Sequence, residues 1–160
     1  MTTNIQLEEI CKKLGVQLNA IRSKDDLPRL HERRTGLYII NSEDMFGSEG
    51  GIHWVGLYVN QDDYHKESVY FDSFGGHPYR QCKEFATSKL FYNKEQIQDI
   101  ESKRCGEFVC YFGYCMDKKY KHVKGLQNRL LLCIRQFNLK DSKANDEILR
   151  KKYLSLNIKI

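Results

Sequence analysis

Apolar residues return every two to four positions through Ile5, Leu7, Ile10, Cys11 and Leu14, and this near-helical spacing predicts a short amphipathic helix over residues 5–14. Residues 20–35 are charged and without a period, and are expected to be irregular. The pattern then turns continuous: Gly36-Leu37-Tyr38-Ile39-Ile40 reads as a buried strand, and residues 41–51 as a loop carrying three glycines. A strand over residues 52–60, turn chemistry in Asn60-Gln61-Asp62-Asp63 and a returning strand over residues 67–74 form a predicted hairpin. Under the two-residue period, His53 shares a face with Val55, Leu57 and Val59, and Asp72 shares one with Tyr70 and Phe74. The hairpin is therefore able to bring imidazole and carboxylate side by side.

Residues 79–90 are predicted helical, with a short strand at Leu90-Phe91-Tyr92. A central helix follows over residues 106–118, with Cys105, Phe108, Val109, Phe112, Cys115 and Met116 on one stripe. Helices near 124–137 and 142–154 close the chain. The expected fold is α+β: a small, mostly antiparallel sheet against a central helix with the cysteine at its N-terminus, and further helices around it. Residues 1–160 are expected to form one domain, large enough for a core of its own.

Composition narrows the class. Apolar residues are 41% and only two prolines occur, so a folded globular chain without a Pro-rich linker is expected. No apolar run approaches the roughly 20 residues of a membrane span, and the N-terminus lacks a basic and an apolar region of an export signal. The chain is therefore expected neither in a membrane nor secreted, and its six cysteines are read as free thiols. Cys105, Cys110 and Cys115 recur every five residues, but that spacing turns each thiol by about 140° on a helix, and no C-x-x-C pair exists. No metal is expected. Cys11, Cys110, Cys115 and Cys133 fit better as small core residues.

Net charge is +5 and unevenly spread: residues 101–160 carry 14 Lys and Arg against 6 Asp and Glu. The excess sits in residues 118–124 and 150–152, which suit either a phosphate backbone or a solvated face.

Three strings carry the chemistry: Gly50-Gly51-Ile52-His53-Trp54, then Phe71-Asp72-Ser73-Phe74-Gly75, then Gln98 seven residues before Cys105-Gly106. A thiol attacks as thiolate, and a helix N-terminus with an adjacent imidazolium lowers a cysteine from about 8.5 to roughly 3.5–7.5. Cys105, opening the central helix beside Lys103 and Arg104, is the candidate nucleophile. His53 would act as base on the thiol and acid on the leaving amine. Asp72 would orient the imidazole, unless it only serves the turn that follows the strand. Gln98 would donate its amide to the oxyanion together with the Cys105 N–H, and Gln96 lies two positions away. Trp54, the only tryptophan, either packs in the core or roofs a substrate groove, and Gly51 and Gly106 are the other candidate substrate contacts. His31, His65, His77 and His122 lie in polar surroundings and read as surface residues.

These strings, with Cys105-Gly106-Glu107-Phe108-Val109-Cys110, resemble the adenovirus maturation proteases, and more broadly the clan that includes the ubiquitin-like-protein proteases acting on SUMO. The resemblance covers roughly residues 36–117, and the glycine pair and the Gln98 spacing resemble the viral branch more. It extends to compact relatives from virophages and Polinton elements. It implies a cysteine endopeptidase cleaving viral precursor proteins at glycine-containing sites during capsid assembly, located in virion and infected cell. It also implies activation by DNA or by a short disulfide-linked peptide, while the chemistry itself needs no cofactor. A monomer is expected. The chain departs from the adenovirus pattern at Asp72, where Glu is common there.

Two other readings share parts of this evidence. One is an isopeptidase removing ubiquitin or a relative at Gly-Gly termini. The other, from a different class, is a nucleic-acid-binding module with an inactive protease-like fold.

Overall fold

A computed structural model describes residues 2–42, 53–62 and 66–160. Gly51, Ile52, His65 and most of the predicted glycine loop lie outside the described residues.

Helix α1 (Asn4–Leu14) forms where the periodicity predicts it. Thr3 begins it with a reciprocal cap: its hydroxyl accepts the Gln6 N–H at 3.2 Å, and the Gln6 side chain accepts the Thr3 N–H at 2.8 Å. Gly15, at φ 73°, ends it in the left-handed region that glycine enters without a Cβ penalty.

Five strands follow: β1 (Leu18–Ser23), β2 (Gly36–Asn41), β3 (Trp54–Val59), β4 (Glu67–Phe71) and β5 (Lys89–Tyr92). They lie in the order β1-β2-β3-β4-β5. The central pairings, β2 with β3 and β3 with β4, are antiparallel, whereas the outer pairings are parallel. The fold is α+β as the pattern predicts, but the sheet is mixed. Strand β1 lies in the stretch expected to be irregular. It is an edge strand with half-covered residues, so its sequence shows neither a buried run nor a clean alternation. The expected helix over residues 79–90 contracts to α2 (Arg80–Phe85), and β4 ends at Phe71, where a turn begins.

Alternation along β3 divides the core in two. Val55, Leu57 and Val59, with Tyr38, Ile40 and Tyr70, face Cys82 and Phe85 of α2. Trp54 and Tyr58, with Leu37, Ile39, Val69 and Phe71, face α3 (Cys105–Tyr114). Residues 105–113 of α3 are all buried, so the expected stripe becomes a fully enclosed helix. Its end continues as a π-helical turn, Cys115–Lys119. The outer side of α3 is covered by α1 and α5 (Asn145–Ser155), whereas α4 (Leu126–Ile134) packs on β4, β5 and the π-helical turn. Cys11, Cys110, Cys115 and Cys133 are buried free thiols of this cluster.

Two glycines set how closely α3 lies on the sheet. A Cβ at Gly56 of β3 would stand 3.0 Å from the Phe112 and Val109 side chains, and one at Gly113 would stand 2.5 Å from Leu37 Cδ2. Phe71 and Phe112 stack in this gap with centroids 4.9 Å apart. Gly56→Val is expected to destabilise the fold by about 1–3 kcal/mol through overpacking, measured as a lower denaturant midpoint at unchanged slope.

Candidate active site

The β3–β4 hairpin ends where α3 begins. His53 immediately precedes β3 and Asp72 immediately follows β4, so the antiparallel register brings them to the same end of the sheet. The His53 backbone is fixed from the other side. Its N–H donates to Ser42 Oγ at 3.2 Å, and its carbonyl accepts the Ser42 N–H at 3.0 Å.

The His53 Nε2–H donates to Asp72 Oδ1 at 2.7 Å, both side chains being largely buried. The same oxygen accepts the Phe74 N–H at 2.8 Å, closing an Asx-turn that carries the chain out of β4. Asp72 therefore serves the turn and the imidazole together, and the two readings of it are not alternatives. Gly75, at φ 76°, completes the turn by donating its N–H to the Asp72 carbonyl at 2.8 Å. Phe74 lies against the imidazole with ring centroids 4.8 Å apart.

Cys105, the first residue of α3, lies near enough to the imidazole to raise its affinity for a proton. With Nε2 held by Asp72, Nδ1 is the ring nitrogen left for the thiol. Burial alone would lower the affinity of His53 for its second proton. The Asp72 and Cys105 hydrogen bonds and charges outweigh that and push it up from 6.5 to about 9. The proton thus resides on the imidazole at neutral pH. Glu107, in the first turn of α3, accepts a hydrogen bond from the Thr2 hydroxyl at 2.8 Å and has Arg104 at 3.5 Å.

Gln98 is almost wholly enclosed, at 1% exposure, in the segment that leads into α3. Its backbone N–H and that of Ile97 donate to the Ser73 carbonyl, so the Asp72 turn and the Gln98 segment are tied together. Its side-chain oxygen accepts from Ser73 Oγ at 2.6 Å, and its amide donates to the Ser102 carbonyl at 2.9 Å and Oγ at 3.2 Å. Action on an oxyanion therefore draws one Gln98 N–H away from Ser102. Gln96 instead donates to the Gln98 carbonyl at 3.0 Å.

Of the expected substrate contacts, Gly51 lies outside the described residues. Trp54 is 2% exposed, packs in the core, and donates its indole N–H to the Thr2 carbonyl at 3.2 Å. It does not roof an open groove. A Cβ on Gly106 would meet Leu7 at 2.7 Å and Thr2 at 3.2 Å, so this glycine serves the close crossing of α1 over α3 rather than a substrate backbone. Both residues are enclosed for one reason: the N-terminal segment covers this face, and no local pattern in the sequence announces where it docks.

Asn93 is a site residue without a spacing signature. Its side chain accepts the Asp72 N–H at 3.1 Å and donates to the Asp72 carbonyl at 2.7 Å, extending the β4–β5 ladder by one side-chain rung. Its position directly after the strand at residues 90–92 is the one sequence signal able to locate it.

His31, His77 and His122 are exposed. Residues 118–124 are mostly exposed, and Lys152 is held below its ordinary value by partial burial and by nearby Lys119. Lys119 and Lys152, one from each basic stretch, thus lie within electrostatic reach of each other. Among the described residues, no group of three His, Cys, Asp or Glu side chains is placed to hold a metal ion, and no helix is long and apolar enough to cross a membrane.

No family model and no curated protein matches the chain. Among solved structures, it is similar to the ASFV pS273R protease, with a TM-score of 0.49 and 15% identity over 78% of this chain. The similar region spans 44% of that protease.

The raised His53 value has a consequence for stability. A group whose affinity for protons increases on folding stabilises the fold below its unfolded pKa, and that contribution is lost as pH rises through the folded one. Unfolding free energy is thus expected to fall between about pH 6.5 and pH 9. The decline should be much smaller in His53→Gln, as read by denaturant titrations at each pH.

Proposed function

We propose that this protein is a cysteine endopeptidase that cleaves viral precursor proteins at glycine-containing sites during virion maturation. One observation carries the catalytic reading: His53 hydrogen-bonds Asp72 at 2.7 Å and lies beside Cys105, the first residue of a buried helix. The likeness of the sequence strings to the adenovirus maturation proteases supports the substrate class.

In this reading Cys105 Sγ attacks the scissile carbonyl carbon, a C–S bond forms, and the carbonyl electron pair moves to oxygen. The Cys105 N–H and the Gln98 amide stabilise the resulting oxyanion. Collapse breaks the C–N bond, and the imidazolium of His53 gives its proton to the departing amine. Water, deprotonated by His53, then cleaves the thioester and regenerates the thiolate. Asp72 keeps Nε2 occupied throughout, so Nδ1 faces the reacting atoms.

The same proposal places the protein in the virion and the infected cell, acting as a monomer. Residues 118–124 and 150–152 form a surface for DNA, a candidate activator alongside a short peptide. The nearness of Lys119 to Lys152 and the exposure of the first stretch support that part of the reading.

The test uses a fluorogenic peptide with a Gly-Gly scissile site, with and without duplex DNA, beside a ubiquitin C-terminal amide substrate. Cleavage of the peptide is expected to vanish in Cys105→Ala. It is expected to fall about 10²–10³-fold in kcat in Gln98→Ala, the usual cost of losing one oxyanion donor. Cleavage that persists in Cys105→Ala would overturn the assignment. Turnover of the ubiquitin substrate alone would replace the endopeptidase with an isopeptidase.

A further inference from the structure

The Asp72 carboxylate is bounded on a side that faces neither the imidazole nor the turn. A Cβ on Gly76 would stand 2.5 Å from Asp72 Oδ2 and 3.6 Å from Cγ. Gly75, next to it, is a glycine for the sake of the backbone: its φ is 76°, and a Cβ there would meet the Lys94 carbonyl oxygen at 2.6 Å. Gly76 is half-buried and keeps a conformation open to any residue. What it provides is room for one carboxylate oxygen.

That oxygen is not free to yield. Asp72 Oδ1 accepts the His53 Nε2–H at 2.7 Å and the Phe74 N–H at 2.8 Å, and the Asp72 backbone is held by Asn93 at 3.1 and 2.7 Å. To reach ordinary contact with a methyl at residue 76, Oδ2 must retreat by about 0.9 Å, from 2.5 Å to 3.4 Å. Both oxygens belong to one rigid planar group, so the retreat turns Oδ1 off its two donors. The main chain is packed on either side of Gly76 as well, by Gly75 against the Lys94 and Glu95 backbone and by the burial of Pro78.

We infer that Gly76 is a positioning residue: the space left by its absent side chain lets the Asp72 carboxylate hold the His53 ring. Residues 72, 74 and 76 then serve one pair, as the carboxylate, as the ring lying 4.8 Å from the imidazole, and as the gap that admits Oδ2. The inference rests on the reading of His53 as the base of a cysteine protease, but its readout is the charge on the ring rather than turnover. Asp72 and Cys105 are the titratable groups acting on that ring. Tyr70 and Tyr79 lie within electrostatic reach of the carboxylate, and burial together with the Asp72 charge keeps both phenols protonated, so neither adds a charge.

The test is an NMR titration of the His53 ring in wild type, Gly76→Ala, Asp72→Ser and the double variant, each well below its measured melting temperature. Serine at residue 72 keeps one oxygen for the Phe74 N–H and has no second oxygen to meet the methyl. Gly76→Ala is expected to lower the midpoint from about 9 to about 8 or below, since a close opposite charge moves a titration by about 1–3 on the pH scale. Added to Asp72→Ser, the same methyl should change neither midpoint nor melting temperature.

A wild-type midpoint retained in Gly76→Ala would overturn the inference and leave the protease reading intact. An equal change on adding the methyl in both backgrounds, in midpoint or in melting temperature, would also overturn it, because such an effect does not pass through the carboxylate. If the wild-type midpoint itself lies at or below 6.5, the charged pair is absent, and the protease reading fails before this inference is reached.

Discussion

The structure turns on a contest at His53 between burial and pairing. Enclosing an imidazole disfavours its charged form, and the Asp72 carboxylate 2.7 Å away, together with Cys105, outweighs that cost. The carboxylate acts steadily on the ring because its own geometry is over-determined. Asp72 Oδ1 receives two N–H donors, and its backbone is gripped on both sides by Asn93. A carboxylate held this firmly has little freedom to turn away from the ring, so the imidazole is fixed in both orientation and charge. Everything else in the site is arranged around that fixed ring.

The surrounding fold supplies the geometry by packing alone. Gly56 and Gly113 let α3 lie directly on the sheet, so the first residue of the helix arrives at the end of the β3–β4 hairpin. The helix is enclosed by the sheet, α1 and α5, which restrains any shift of Cys105 along its axis. The Asp72 turn and the Gln98 segment are joined through the Ser73 carbonyl, so imidazole, carboxylate and amide share one scaffold. Asn145 and Asp146 extend it to the last helix, tying the Gln98 segment to a remote part of the chain.

Much of this is legible in the sequence where the determinant is local. The period of α1, the continuous apolar run of β2, and the turn residues between β3 and β4 each specify their element within a few residues. The hairpin argument then brings His53 and Asp72 together, as the structure does. What escapes is set by long-range contact. Strand β1 is decided by a parallel neighbour rather than by its own half-exposed residues. Trp54 and Gly106 face the N-terminal segment, whose docking depends on contacts about 50 and 100 residues apart in the chain. The commitments of Gln98 to Ser73 and Ser102 are likewise invisible to spacing, because hydrogen-bond direction is settled only by the full set of partners.

The most direct test of the central claim is the titration of the His53 ring itself, followed by heteronuclear NMR of its carbon-bound protons and assigned by comparison with His53→Gln. The account predicts a midpoint near 9, displaced downward in Asp72→Asn. A midpoint at or below 6.5, unaffected by Asp72→Asn, would mean that the imidazole is neutral at physiological pH and that no charged pair stands beside Cys105.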